Sequence, residues 1–241
     1  MTREPIVIAV DGTAASGKGT LAKLLAKHFG FAHLDSGKLY RLVGLSLIES
    51  GGDPDNERDA LKATAAILSR IADGDALTNA RLQSEDVSAA ASRVAAIAKV
   101  REALLELQRQ FARKPPAAAQ GACIDGRDIG TIICPNATAK LFVDAMPEVR
   151  AHRRWRELRG LSTSADVPAE PVILADILAR DQRDRTRAVA PLKPAADALL
   201  LDTSQLAIDA AFAAALDLVG PKVREALEAR QRGEGDPAAP T

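Results

Sequence analysis

Residues 6–12 read Ile-Val-Ile-Ala-Val-Asp-Gly, and 12–20 continue Gly-Thr-Ala-Ala-Ser-Gly-Lys-Gly-Thr. An apolar run of strand length leads into a glycine-rich turn. A helical pattern follows, with Leu21, Leu24 and Leu25 on one face. In that setting Gly-x4-Gly-Lys reads as a phosphate-binding P-loop. Gly12 and Gly17 let the backbone curl so that successive N–H groups point at phosphate oxygens. The helix opening near Lys18 adds the positive end of its dipole, and the Lys18 ammonium is placed to reach β- and γ-phosphates. The bland alternative is a glycine-rich turn that binds nothing. The loop implies a nucleotide polyphosphate held through Gly12, Thr13, Ala14, Ala15, Ser16, Gly17, Lys18, Gly19 and Thr20.

Composition narrows the remaining classes. A chain of 241 residues fits a compact α/β enzyme of one main domain with a small insertion. Lys plus Arg equals Asp plus Glu at 32 each. No global basic field is therefore available to capture nucleic acid, and phosphate chemistry must come from local arginine clusters. Cys123 and Cys134 lack metal-ligand spacing and read as free thiols of a reducing compartment. No apolar run approaches membrane-spanning length. One basic residue and a short apolar strand at the start are too little for a signal peptide. The expectation is a soluble, cytoplasmic monomer with no membrane or nucleic-acid partner. His28, His33 and His152 have no partner at ligand spacing and read as structural or exposed.

Strand-like runs alternate with helical patterns, which predicts a parallel sheet flanked by helices. Strands are expected at about 5–10, 31–34, 122–125, 139–143 and 198–202. Helices are expected at about 18–28, 37–50, 92–113, 147–159, 170–187, 204–217 and 220–230. The core would comprise 1–50 and 92–230. Residues 51–91 open with Gly51-Gly52-Asp53-Pro54-Asp55, carry one helical pattern and break at Asp73-Gly74-Asp75, so they read as an insertion. The tail 231–241 reads as disordered.

Three further stretches carry chemistry. In Leu34-Asp35-Ser36-Gly37-Lys38-Leu39-Tyr40-Arg41, Ser36 occupies a helix N-cap position, with an aromatic and an arginine on the first turns. Beside a P-loop these suit a base and a phosphate; alone, Ser36 is a cap and Arg41 a solvated charge. Asp125-Gly126-Arg127-Asp128-Ile129-Gly130 follows a short apolar strand, where open α/β sheets bind ligands. Asp125 is placed to hold Mg²⁺ through water, and Asp128 to accept hydrogen bonds from a sugar or base; otherwise this is a capped polar turn. Two arginine clusters come last. Arg153, Arg154, Arg156 and Arg159 surround Trp155, while Arg180, Asp184 and Arg187 fall at i, i+4, i+7. Such runs are commonly solvated faces, but phosphoryl transfer needs several bidentate cationic donors.

The assembled motifs resemble the bacterial cytidylate kinase family, nucleoside monophosphate kinases of the P-loop group. They are Gly-Lys-Gly-Thr, where Gly19 separates Lys18 from Thr20, then Leu-Asp-Ser-Gly, Tyr-Arg and Val-Arg-Glu-Ala-Leu at 100–104. Asp-Gly-Arg-Asp-Ile-Gly-Thr, Arg-Ala-Val-Ala-Pro-Leu at 187–192 and Ala-Asp-Ala-Leu at 196–199 follow. The resemblance implies a three-layer α/β/α fold on a five-stranded parallel sheet, a CMP-side insertion and an arginine-bearing lid within about 147–190. It implies a CMP site of Ser36, Tyr40, Arg41, Ser92, Arg101, Asp128, Arg180, Asp184 and Arg187. Arg153 and Arg154 would belong to the lid, and Mg²⁺ would accompany ATP. Ser92 and Arg101 enter only through the resemblance. Two departures stand out: Lys38, where a small residue is usual, and an insertion shorter than in many members.

The activity so implied moves the ATP γ-phosphoryl to CMP or dCMP, with Lys18, Arg153, Arg154 and Arg187 catalytic. Another small-molecule kinase on the same core would keep the loop without the Ser36, Arg101, Asp128 and Arg187 set. A P-loop GTPase would show Asn-Lys-x-Asp, which is absent. A nucleotide-sensing module would have shed the arginines.

Overall fold

The protein is described by a computed structural model covering residues 5–71, 77, 79–161 and 167–232. Beyond Gln231 and Arg232, the expected disordered tail lies outside the described residues. The central strand β1 (Ile6–Gly12) is buried along its whole length. It pairs in parallel with β3 (Gly121–Gly126) on one side and β4 (Ala139–Asp144) on the other. β5 (Leu199–Asp202) pairs in parallel with β4, and β2 (Ala32–Asp35) completes a five-stranded parallel sheet of order β2-β3-β1-β4-β5. A central parallel strand is covered on both faces, which explains why β1 reads as an unbroken apolar run.

The chain packs as two compact units. The first comprises residues 5–34, 109–145 and 194–232 among those described. Here Ile6, Ile8 and Val10 share a core with Leu21, Ala22 and Leu25 of α1 (Lys18–Phe29). Ala211, Ala215, Val219 and Val223 of α8 (Ile208–Gln231) join the same core. The expected break between helices at 204–217 and 220–230 does not occur, because α8 runs through Pro221. Pro221 forfeits one backbone hydrogen bond. The buried stripe 211, 215, 219, 223 continues across it, and packing holds the helix where local propensity would end it.

The second unit comprises residues 35–108 and 146–193. At its centre is α2 (Ser36–Ser50), whose Leu39, Tyr40, Val43 and Leu47 pack with α3 (Glu57–Ile71), α4 (Glu85–Val94) and α5 (Ala98–Arg113). A Cβ on Gly44 would stand 3.0 Å from the Ala91 nitrogen, so α2 and α4 meet backbone to backbone. This division differs from the segmentation expected from sequence. The stretch 51–91 holds α3, a short 3₁₀ turn at Ala80–Gln83 and most of α4, and it packs around α2. The single helix expected over 92–113 is two. Ala96 N–H donates to Arg93 O and Ile97 N–H to Val94 O, both at 3.0 Å, and these tight bonds redirect the chain. No glycine or proline marks that break.

Two further helices, α6 (Pro147–Leu161) and α7 (Glu170–Thr186), belong to this unit. Arg150 is among the largest fully buried side chains, and its Nη1 lies 2.7 Å from Asp181 Oδ2 of α7. Two desolvated charges tolerate each other but not isolation. Arg150→Ala is therefore expected to cost about 3–5 kcal/mol in chemical denaturation, while Arg150→Met combined with Asp181→Leu recovers most of that loss. A double variant as unstable as the single one would contradict this account.

Candidate active site

The loop after β1 is shaped by a close approach. A Cβ on Gly12 would fall 2.0 Å from the Val143 carbonyl oxygen, so only glycine lets β1 lie against β4 at that register. Ala15 and Gly17 adopt positive φ, at 56° and 87°, which turns successive N–H groups to one side. The α1 N-terminus has no side-chain cap and no acidic residue in its first turn, so its dipole favours an anion.

Side chains expected to touch ATP brace the loop. Thr13 Oγ1 donates to Asp144 Oδ1 at 2.6 Å, and Ser16 Oγ donates to Thr13 O at 3.1 Å. Thr203 Oγ1 donates to Ser16 O at 2.9 Å, while its N–H donates to Asp144 O, also at 2.9 Å. Lys18 Nζ folds over the loop toward Thr13 O at 3.4 Å. Thr13 and Ser16 thus serve through backbone groups, with Asp144 and Thr203 as unforeseen supports.

Asp125 and Asp128 occupy the same unit, at and just beyond the end of β3, and both are buried. Asp125 Oδ1 lies 2.8 Å from His33 Nε2. That contact gives His33, expected to be structural or exposed, a partner 92 residues away in sequence. Asp125 Oδ2 is 3.5 Å from where a Gly19 Cβ would sit, which puts this carboxylate beside the first turn of α1. Asp128 opens a π-turn, Ile129–Ile133, in which its carbonyl accepts from the N–H groups of Ile132 and Ile133. Asp11, at the end of β1, accepts from the N–H groups of Ile129 and Gly130, each at 2.7 Å. Burial pushes the Asp11 carboxyl up to about 7, against the two backbone donors that favour its ionised form. Asp128 repels that charge and Arg127 favours it.

The second unit gathers the remaining candidates. Asp35, not Ser36, is the N-cap of α2, and Ser36 is its buried first residue. The Arg101 guanidinium lies 5.4 Å from the Tyr40 ring centroid and donates to Ala95 O at 3.3 Å, an acceptor exposed by the α4–α5 break. Arg41 Nη1 donates to Leu82 O at 2.7 Å. Arg180 Nη1 donates to Ser88 Oγ at 2.8 Å, and Arg183 Nε, not Arg187, meets Ser92 Oγ at 3.3 Å. Ser88 and Ser92 stand at i, i+4 on α4 opposite Arg180 and Arg183 at i, i+3 on α7; that hydroxyl pair in an alanine-rich run was the available signal. Arg187 follows the end of α7, with Nε donating to Ala190 O at 2.6 Å and Nη1 3.8 Å from Asp184. Arg153 is half-buried. Arg154 is bound to Glu85, to Glu157 at 2.8 Å and to Gln83 O at 2.8 Å. Lys38 Nζ donates to Leu77 O at 3.0 Å.

A glycine-rich phosphate loop between a central parallel strand and a helix, in a chain with buried arginines presented on neighbouring helices, defines a P-loop kinase. The chain belongs to the cytidylate kinase family, whose sequence model matches residues 8–220. It is 53% identical over 214 residues to the cytidylate kinase of Bradyrhizobium sp. (strain ORS 278), covering 89% of this chain and 95% of the relative. The cytidylate kinase of Rhodospirillum rubrum is 51% identical over 217 residues, 90% of this chain and 98% of the relative. That of Rhodopseudomonas palustris (strain TIE-1) is 49% identical over 227 residues, 94% and 99% respectively.

The raised carboxyl of Asp11 has a measurable sign. Below about pH 3.8 both folded and unfolded chains hold its proton, whereas between there and about 7 only the folded chain does. Its contribution to stability therefore falls as pH rises through that window, by on the order of 4 kcal/mol. Asn carries no such dependence. The Tm advantage of the wild type over Asp11→Asn is expected to shrink steadily from pH 4 to pH 8; a constant difference would show that Asp11 titrates normally.

Proposed function

We propose that this chain transfers the γ-phosphoryl of ATP to the 5′-phosphate of CMP or dCMP, giving ADP and CDP or dCDP. The observation that carries the reading is the cationic set of the second unit. Arg101 stacks on Tyr40, Arg180 meets Ser88, and Arg187 faces Asp184, all in a family of cytidylate kinases. The forked, planar donors of guanidinium groups match phosphate oxygens in geometry and charge.

The attacking atom is an acceptor phosphate oxygen, largely ionised near neutral pH, so no strong general base is needed. It bonds to the γ-phosphorus as the bond to the β,γ-bridging oxygen breaks, and ADP leaves with that electron pair. Catalysis is positioning and charge neutralisation. The 12–20 loop holds the donor phosphates through backbone N–H groups, and Lys18 follows the phosphoryl in flight. Arg41, Arg101 and Arg187 hold the acceptor phosphate. Ser36, Tyr40, Ser92, Asp128, Arg180 and Asp184 hold the nucleoside. Arg153 and Arg154 supply further positive charge, for which Arg154 exchanges its bonds to Glu85 and Glu157.

Mg²⁺ fits the residues present. A hard cation of this size takes one or two carboxylates plus phosphate oxygens and water, and the Asp125 carboxylate stands beside Gly19 where no side chain intervenes. Asp125 would hold the ion, whose chemistry there is to neutralise charge on the phosphate oxygens.

A coupled assay of ADP release with CMP, dCMP, UMP, AMP and shikimate tests the reading. CMP or dCMP is expected to accelerate release most, and failure of both to do so would overturn it. Arg187→Ala is expected to raise the CMP KM and lower kcat, each by about tenfold or more. Wild-type kinetics would remove Arg187 from the site.

A further inference from the structure

We propose that Asp11 is a positioning residue for the acceptor nucleotide: it sets the place of Asp128 by clamping the π-turn that follows it. This inference rests on the reading of Asp128 as a nucleoside contact, and every group it uses lies within the first unit.

The argument starts with alternation along β1. Val10 turns into the core shared with α1 and α8, while Asp11 turns the other way, buried at 4% exposure, and meets backbone N–H donors. A carboxylate so placed is costly unless its oxygens are fully used. Both are used at 2.7 Å by the consecutive N–H groups of Ile129 and Gly130. Two adjacent donors meeting the two oxygens of one carboxylate fix a dipeptide far better than a single bond. Just upstream, the Asp128 carbonyl is held by the N–H groups of Ile132 and Ile133, at 2.9 and 3.2 Å. Arg109 completes the clamp at the far end, donating from Nη2 to Ile132 O at 3.0 Å and from Nε to Ile133 O at 3.3 Å.

The turn therefore has two external anchors, Asp11 at its first residues and Arg109 at its last carbonyls. The turn is tightly packed at Gly130, where a Cβ would stand 3.1 Å from Lys140 Cδ and 3.4 Å from Asp11 Oδ2. A turn with i→i+5 bonds is rare and is found frequently at functional sites. Here its product is a fixed backbone at Asp128. Asn at position 11 keeps one acceptor but sets an amide donor against the second N–H, which releases one end of the clamp.

A double-mutant cycle in CMP kinetics tests this. Asp11→Asn is expected to lower kcat/KM for CMP by roughly ten- to a hundredfold, the range for an ångström-scale misplacement, with the ATP KM unchanged within about twofold. Asp128→Asn is expected to act in the same direction. The double variant should be little worse than Asp128→Asn alone, because Asp11 acts through Asp128. Additive losses, or an ATP KM that rises as far as that of CMP, would overturn the proposal, since Asp11 would then only support the loop beside it. Arg109→Ala, at the other anchor, should show the same non-additivity with Asp128→Asn, and it decides the matter if Asp11→Asn does not fold. Loss of CMP activity in the Asp11 variant alongside a fully active Asp128→Asn overturns the assignment of Asp128 and the inference built on it, while CMP-dependent ADP release by the wild type keeps the activity itself standing.

Discussion

The approach of β1 to β4 at Gly12 is the constraint from which the candidate site is built. With the Val143 carbonyl 2.0 Å from where a side chain would begin, the strand must hand over to the loop at a residue with no side chain. The loop that leaves there is secured to the same edge of β4. Thr13 bonds to the Asp144 carboxylate, the Asp144 carbonyl takes the Thr203 N–H, and the Thr203 hydroxyl returns to Ser16. The Thr13 and Ser16 bonds tie the loop to Asp144 and Thr203, and the Asp144–Thr203 bond links those two anchors to each other. Preorganisation of this kind removes the entropic cost of assembling a phosphate cradle at each turnover.

Charge burial governs the second unit in a different way. The chain holds equal numbers of acidic and basic residues, yet Arg101, Arg150 and Arg187 are withdrawn from water. Arg150 is matched by Asp181 and joins α6 to α7, which is structural service. Arg101 lies over the Tyr40 ring and donates to a peptide carbonyl, so here a guanidinium is packed against an aromatic face and a backbone acceptor.

Much of this was legible in the sequence because it was local. The P-loop, all five strands and the carboxylates after β3 follow from runs of a few residues with distinctive chemistry. What escaped reading depends on contacts across long separations. The Asp125 partner of His33 does not show until β2 and β3 stand side by side, and the α4–α5 break has no glycine or proline to announce it. Ser88, Ser92 and Arg183 were hidden for a related reason: a hydroxyl in an alanine-rich helix and one arginine among several carry no mark until α4 faces α7. Pro221 misled in the opposite direction, since a residue that ends isolated helices is tolerated when buried side chains continue on both sides of it.

The last three residues of β1 show how a strand distributes tasks by period alone. Val10 faces the α1–α8 core, Asp11 faces the opposite side, and Gly12 must approach β4. One strand end therefore sets both the start of the glycine-rich loop and, through Ile129 and Gly130, the turn bearing Asp128. A one-residue slip in the β1–β3 register would carry Asp11 to the wrong face and separate it from that turn. The parallel pairing of β1 with β3 is thus more than scaffolding. It places the carboxyl that holds the Ile129–Gly130 dipeptide one residue before the glycine that opens the 12–20 loop.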